Sequence, residues 1–209
     1  MDKTLELPDR VDLDVIAPGV AVSVGQYVEW LDQQDGRYEY DRGTVGMMVN
    51  VTAGHAELVW NFVSVLTTQI DVSKYQVFSE AFALHTAESI RFPDVLVQRR
   101  DANRNALRSA DPLVIVEVVS QSSLHLDTVV KRDEYLALST LASYIVASPN
   151  NPAADVWIRG EDGRFPDAPL ELEGFHGSIE LSAIGATLAM ADIYRHLKDD
   201  PTLDGSPND

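Results

Sequence analysis

The run Leu113-Val114-Ile115-Val116-Glu117-Val118-Val119 fits few places in a folded chain. Every residue but one is aliphatic and most are β-branched, which suits a strand covered on both faces, hence the interior of a sheet. Glu117 breaks the run, and an ionised carboxylate buried there is costly unless donors or a cation meet it. A second acid, Asp94, stands in a similar run, Ile90–Val97, inside the segment Arg91-Phe92-Pro93-Asp94-Val95. An isolated lysine, Lys131, follows on the stretch Leu126–Leu138, which reads as a helix. Acids in strands too apolar to hold them are the strongest indication of function in this chain.

Around that centre the pattern is helix, hairpin, helix, strands, helix, strands. Ser23 caps a short helix carrying Tyr27, Val28 and Leu31, and Arg37–Val49 reads as a hairpin turning at Asp41-Arg42-Gly43. Leu58, Val59, Phe62, Val63, Leu66 and Ile70 recur at three-and-four spacing, the stripe of a long amphipathic helix introduced by Thr52 and Gly54. Val77–Leu84 and Ile90–Val97 are expected strands and neighbours in one sheet; Ala142–Ala147 and Val156–Arg159 add further strands. Short β elements over 160–188 and a helix over Met190–Leu197 complete the order. The expectation is an α/β fold, a mixed β-sheet flanked by helices, with an N-terminal arm over 1–22 and an added β-hairpin. Residues 23–198 form the domain and 199–209 a disordered acidic tail. No glycine-rich loop follows a strand, which excludes a dinucleotide fold or a P-loop.

If the two acid-bearing strands are adjacent, Asp94 and Glu117 project toward one point. Two carboxylates held close repel, and a hard divalent ion relieves that repulsion through oxygen ligands. The chain has no cysteine, so thiolate metal sites and cysteine nucleophiles are excluded. On the helix that follows, Val129, Val130, Leu136 and Ala137 are expected to face the core, while Asp127, Lys131, Glu134 and Leu138 form a separate edge. From that edge Lys131 could reach back over both acids. An ion and a lysine at one phosphate are competent for phosphodiester hydrolysis.

The segments Tyr38-Glu39-Tyr40-Asp41-Arg42-Gly43, His55, Arg91-Phe92-Pro93-Asp94-Val95, Val116-Glu117-Val118-Val119-Ser120, Asp127, Lys131 and Tyr135 occur in an order that resembles the Uma2 family. These are endonucleases of the PD-(D/E)XK superfamily with a restriction-endonuclease-like fold, and the resemblance spans roughly residues 25–195. It implies that Asp94, Glu117 and the backbone carbonyl of Val118 hold Mg2+, with Mn2+ as a substitute. It also implies that Asp94, Glu117, Lys131 and Glu39 are catalytic, Glu39 as an accessory acid, with DNA as substrate. In this family the motif's lysine is typically displaced from the strand to the following helix, which fits Val119 at the strand position and Lys131 as the replacement. Two departures lie off this site: Gln121 replaces a proline, and Ser143–Ser148 lacks the acids and tryptophan usual there.

Simpler roles compete with several of these assignments. Glu39 also suits an exposed hairpin acid, and His55 shares a line with Val59, Phe62 and Leu66, as a hydrogen-bonded core histidine would. Ser120 suits a helix cap as well as a phosphate contact, and Tyr135 suits packing as well as positioning Lys131. Arg99, Arg100, Arg104 and Arg108 form the only strongly basic segment, read first as a solvated loop. The net charge is −17, from 33 acids against 16 bases, which opposes general coating of polyanions. That sign keeps two alternatives open: a catalytically inactive nuclease-fold interaction or regulatory module, and a hydrolase of small phosphorylated molecules. With no membrane span and no signal-peptide pattern, a cytoplasmic protein is expected, with a homodimer among its assemblies.

Overall fold

The computed structural model describes residues 22–31, 38–47, 51–80, 82–109, 111–119 and 127–197. In chain order the elements are α1 (Val24–Leu31), β1 (Tyr38–Asp41), β2 (Thr44–Met47), α2 (Ala53–Gln69), β3 (Tyr75–Ser79), β4 (Ala83–His85), β5 (Ser89–Arg91), β6 (Val95–Arg99) and β7 (Arg108–Ser109). They continue with β8 (Pro112–Val118), α3 (Asp127–Leu136), β9 (Ser143–Ala147), β10 (Ala153–Ile158), β11 (Leu170–Glu173), β12 (Ser178–Leu181), β13 (Ala186–Ala189) and α4 (Met190–Ile193). The expected arm up to residue 21, the tail, Ser120 and the side chain of Asp127 lie outside the described residues. The chain divides into two compact units: the part up to Asn50 with His85–Arg91, and the remainder, Val51–Leu84 with Phe92 onward.

In the smaller unit β1 pairs antiparallel with β2 and with β5. Arg42 (φ 43) and Gly43 (φ 96) both take positive φ between β1 and β2, the backbone of a tight two-residue hairpin turn. Tyr27, Trp30, Tyr38 and Tyr40 bury one aromatic cluster; the Tyr27 hydroxyl donates to the Tyr38 carbonyl, and that of Tyr40 to the Val22 carbonyl at 2.8 Å. Arg91 is only 2% exposed and lies 3.6 Å from Glu39 and 3.3 Å from Asp41. A guanidinium buried that deeply needs anionic partners, and Glu39 is one of them.

The larger unit is built on a six-stranded mixed sheet in the order β11-β10-β9-β8-β6-β3. β8 lies between β9, which runs parallel to it, and β6, which runs antiparallel, and all of its residues are buried. That is the interior position its sequence demands. Strand alternation splits its side chains between two cores. Val114, Val116 and Val118 join Val95 and Val97 against Leu58, Phe62 and Leu66 of α2. Ile115 joins Leu96, Tyr144 and Val146 against Leu84, Tyr135 and Leu141 on the other face.

Three local expectations change. Ile90–Val97 is two strands, because Pro93 has no N–H to donate to a ladder and the chain leaves β5 and enters β6 across Phe92–Asp94. Val77–Leu84 is also two strands: β3 ends at Ser79, and Glu80 takes a left-handed backbone with φ 47. Finally, α3 is rotated from its expected setting. Val129 is 44% exposed and Ala137 is exposed, while Tyr135 is fully buried. The helix therefore turns its Lys131–Tyr135 side inward and its Val129 side outward.

Because Phe62 is fully buried between α2 and the sheet, Phe62→Ala should lower unfolding free energy by about 3–5 kcal/mol in denaturant titration. Trp60, on the same helix but 65% exposed, should tolerate alanine within about 0.5 kcal/mol.

Candidate metal centre

The β6–β8 register pairs Val95 with Val116 and Leu96 with Ile115, so the next step outward sets Asp94 opposite Glu117. Opposed residues of antiparallel strands share one face, which brings the two acids together as their apolar settings suggested. Asp94 is buried, and its Oδ2 accepts the Val118 N–H at 2.6 Å. Glu117 is buried too, and its Oε1 accepts from the Tyr135 hydroxyl at 2.8 Å. The Tyr135 ring meets Tyr144 edge-on with centroids 5.5 Å apart, and Tyr144 stacks on Trp157. The phenol that positions Glu117 is thus held by an aromatic core.

Histidine comes from the start of α2. The Thr52 side chain caps that helix by accepting the His55 N–H, which fixes the first turn. His55 Nε2 then lies 3.1 Å from Asp94 Oδ1 and 3.6 Å from Glu80 Oε1. Glu80 sits in the turn after β3, and its N–H points at the carbonyls of Pro93 and Asp94, both at 3.2 Å. A left-handed backbone costs a non-glycine residue roughly 1–2 kcal/mol. Here it aims the side chain at the same point as Asp94, as strained residues at functional sites often do. One ligand atom from each of His55, Glu80 and Asp94 lies within 4.8 Å of the others.

Charge decides the state of the histidine. Burial, the largest single influence, disfavours the imidazolium. The hydrogen bond to Asp94 and the charges of Asp94, Glu80 and Glu117 together outweigh it, and the His55 pKa is raised above 6.5. The protonated form of His55 is thereby favoured beside the carboxylates. An ion bound through Nε2 would have to displace that proton.

The structure thus gathers Asp94, Glu117, His55, Tyr135 and the main chain of Val118, whose described contact is made by its amide. Lys131 is half-buried, one helical turn before Tyr135 and on the same inward side of α3. Glu39 belongs to the smaller unit, where it faces Arg91. Glu80 is the member that sequence reasoning missed. It carried the same signal as Asp94 and Glu117, an acid inside an apolar run, but a continuous strand through Val77–Leu84 hid the turn that presents it.

Known proteins share both pattern and fold. The Uma2 family, described as "Putative restriction endonuclease", matches residues 24–191. An uncharacterized Synechocystis protein, slr1290, is 22% identical over 184 residues, covering 87% of this chain and 95% of that one. A second, sll1609, is 24% identical over 137 residues, covering 63% of this chain and 77% of its own length. A crystal structure described as "a putative nuclease belonging to DUF820" from Anabaena variabilis superposes with a TM-score of 0.66 at 14% identity, over 84% of this chain and 99% of that chain. At that identity the likeness is one of fold, a nuclease-like mixed sheet with flanking helices. With the family pattern running from α1 into α4, the chain belongs to the Uma2 family.

Proposed function

We propose that the chain is a metal-dependent endonuclease that hydrolyses phosphodiester bonds in DNA. The observation that carries this reading is the convergence of His55, Glu80 and Asp94 within 4.8 Å, with Glu117 opposite Asp94. Carboxylate oxygens with one imidazole and no thiolate suit Mg2+ or Mn2+, and the imidazole favours Mn2+. The residues fit such an ion. His55, Glu80 and Asp94 are one ligand set; Asp94, Glu117 and the Val118 carbonyl, implied by the family resemblance, are the other. When bound, the ion supplies Lewis acidity toward a phosphate oxygen and acidifies water.

The protein's own groups do the rest. The Val118 amide holds Asp94 in one orientation. Tyr135 donates to one oxygen of Glu117 and so orients the carboxylate, which is assigned to receive a proton from the attacking water. Lys131, one turn along the same side of α3, is assigned to stabilise negative charge developing on the phosphate. For Glu39, the ion pair with buried Arg91 supports a role in folding the smaller unit in place of an accessory catalytic one.

Three outcomes test this reading. Asp94→Ala and Lys131→Ala should each reduce Mn2+- or Mg2+-dependent nicking of supercoiled plasmid at least a hundredfold. Wild-type protein that leaves DNA intact with every divalent ion tried would overturn it. Tyr135→Phe should slow cleavage about tenfold or more through its lost bond to Glu117, with metal affinity retained. The third outcome concerns pH. Since the raised His55 pKa keeps the ring charged near and below 6.5, Mn2+ affinity should rise with pH through the folded value and then level. Calorimetry in buffers of different ionisation enthalpy should detect the released proton, and His55→Gln should abolish it. Proton-free binding in the wild type would instead select the ligand set of Asp94, Glu117 and Val118.

A further inference from the structure

The paired strands β3 and β6 carry the acid site at one end and a different surface at the other. Ser79 pairs with Val95 beside Glu80 and Asp94; four residue pairs away, Tyr75 meets Arg99. At the rise of a β-strand that separation is about 14 Å. Around the far end lies an open groove of about 880 Å³ whose lining includes Lys74, Arg99, Arg100, Arg104, Phe78 and Phe82. In a chain of net charge −17 this lining reverses the sign, since the only acid in it is Asp101. The Asp101 carboxylate accepts the Asn103 N–H at 2.8 Å, within its own loop.

The basic groups differ in what they already do. Arg100 is committed to the fold, donating to the carbonyls of Val72 at 2.7 Å and Tyr75 at 3.3 Å. Lys74 pairs with Asp71 at 3.2 Å. The side chains of Arg99 and Arg104 are exposed and make no hydrogen bond or ion pair among the described residues. Beside them Phe78 and Phe82 stack with centroids 4.2 Å apart. Phe78 packs on the core beneath, so Phe82 is the outer ring, half-buried. Strand alternation puts Phe78 and Gln98 on the same sheet face as Leu96 and, one step past the strand end, Asp94.

We infer that this groove binds the backbone and bases of a single-stranded nucleic-acid segment and leads it along β3 and β6 to the acid site. Uncommitted arginines beside a stacked aromatic platform are the combination that holds unpaired strands, the cations tracking phosphates and the ring taking a base face. A duplex keeps its bases from such a platform. In a chain of net charge −17, a lining with four basic groups and one acid attracts a polyanion that an average stretch of the chain would repel. The assignment rests on the nuclease reading for its destination, but the groove itself is testable without cleavage.

The test is anisotropy of a fluorescein-labelled oligothymidylate in EDTA, which keeps chemistry silent. Wild-type protein should bind the single strand at least tenfold more tightly than a duplex of equal length. Arg99→Ala with Arg104→Ala should weaken binding tenfold or more and reduce the slope of log affinity against log salt by about 1.4. Phe82→Leu should lose about fivefold or more, while Phe82→Trp should retain wild-type affinity because the stacking face is kept. Equal affinity for duplex and single strand, or an arginine variant that binds as the wild type does, overturns the inference. Asp94→Asn separates the two readings, because it should lose cleavage yet hold the oligonucleotide normally. On bis(p-nitrophenyl) phosphate, too short to reach the groove, the arginine variant should turn over at the wild-type rate. Groove binding without any cleavage would defeat the nuclease reading alone; cleavage indifferent to the groove variants would defeat the groove alone.

Discussion

The bond from the Val118 amide to the Asp94 carboxylate is where the fold and the candidate chemistry meet. It exists because β6 and β8 lie side by side in antiparallel register, and because Pro93 ends the ladder one residue before Asp94 could be absorbed into it. A main-chain donor at 2.6 Å fixes the acid without spending a side chain on it. Slipping that register by one residue would turn Glu117 to the opposite face and send the Val114, Val116 and Val118 set into the wrong core. The packing of α2 on one face and of Tyr135, Tyr144 and Leu141 on the other therefore defends the site geometry as a by-product of defending the core.

Electrostatics supplies the second constraint. Glu80, Asp94 and Glu117 all act on His55, and three carboxylates near one point are tolerable only with a compensating charge. The upward shift of the His55 pKa is one response to that crowding. A divalent ion would provide more compensating charge, so the arrangement suits exchange of a proton for a metal. The two ends of β3 and β6 are also opposite in sign, acidic at the turn through Glu80 and basic past Arg99. Within a chain of charge −17, that reversal marks the direction from which an anionic strand can approach.

Much of the site was legible because burying charge is expensive, so an acid in an apolar strand announces a partner. Asp94 and Glu117 were read that way, and the i, i+4 spacing of Lys131 and Tyr135 already put them on one side of a helix. Glu80 carried the same signal but was masked by a strand assumed to be continuous. Only a left-handed turn braced by the Pro93 and Asp94 carbonyls brings it to the cluster. The setting of α3 was misread for a related reason. The buried face of a short helix is chosen by what it meets, and a tyrosine hydrogen-bonded to a buried glutamate outweighs the pull of Val129 and Ala137.

Local chemistry, then, already determined which strand must be central, which helix has one buried stripe, and that the two acids required compensation. These follow from hydropathy period and the cost of desolvating charge, both properties of residues and near neighbours. Tertiary structure alone decided that His55 and Glu80 join Asp94, and that Arg99 at the end of β6 and the arginines after it line a groove with Phe78 and Phe82. Those contacts join residues far apart in the chain, and strand register with helix packing sets them, which no spacing along the sequence encodes.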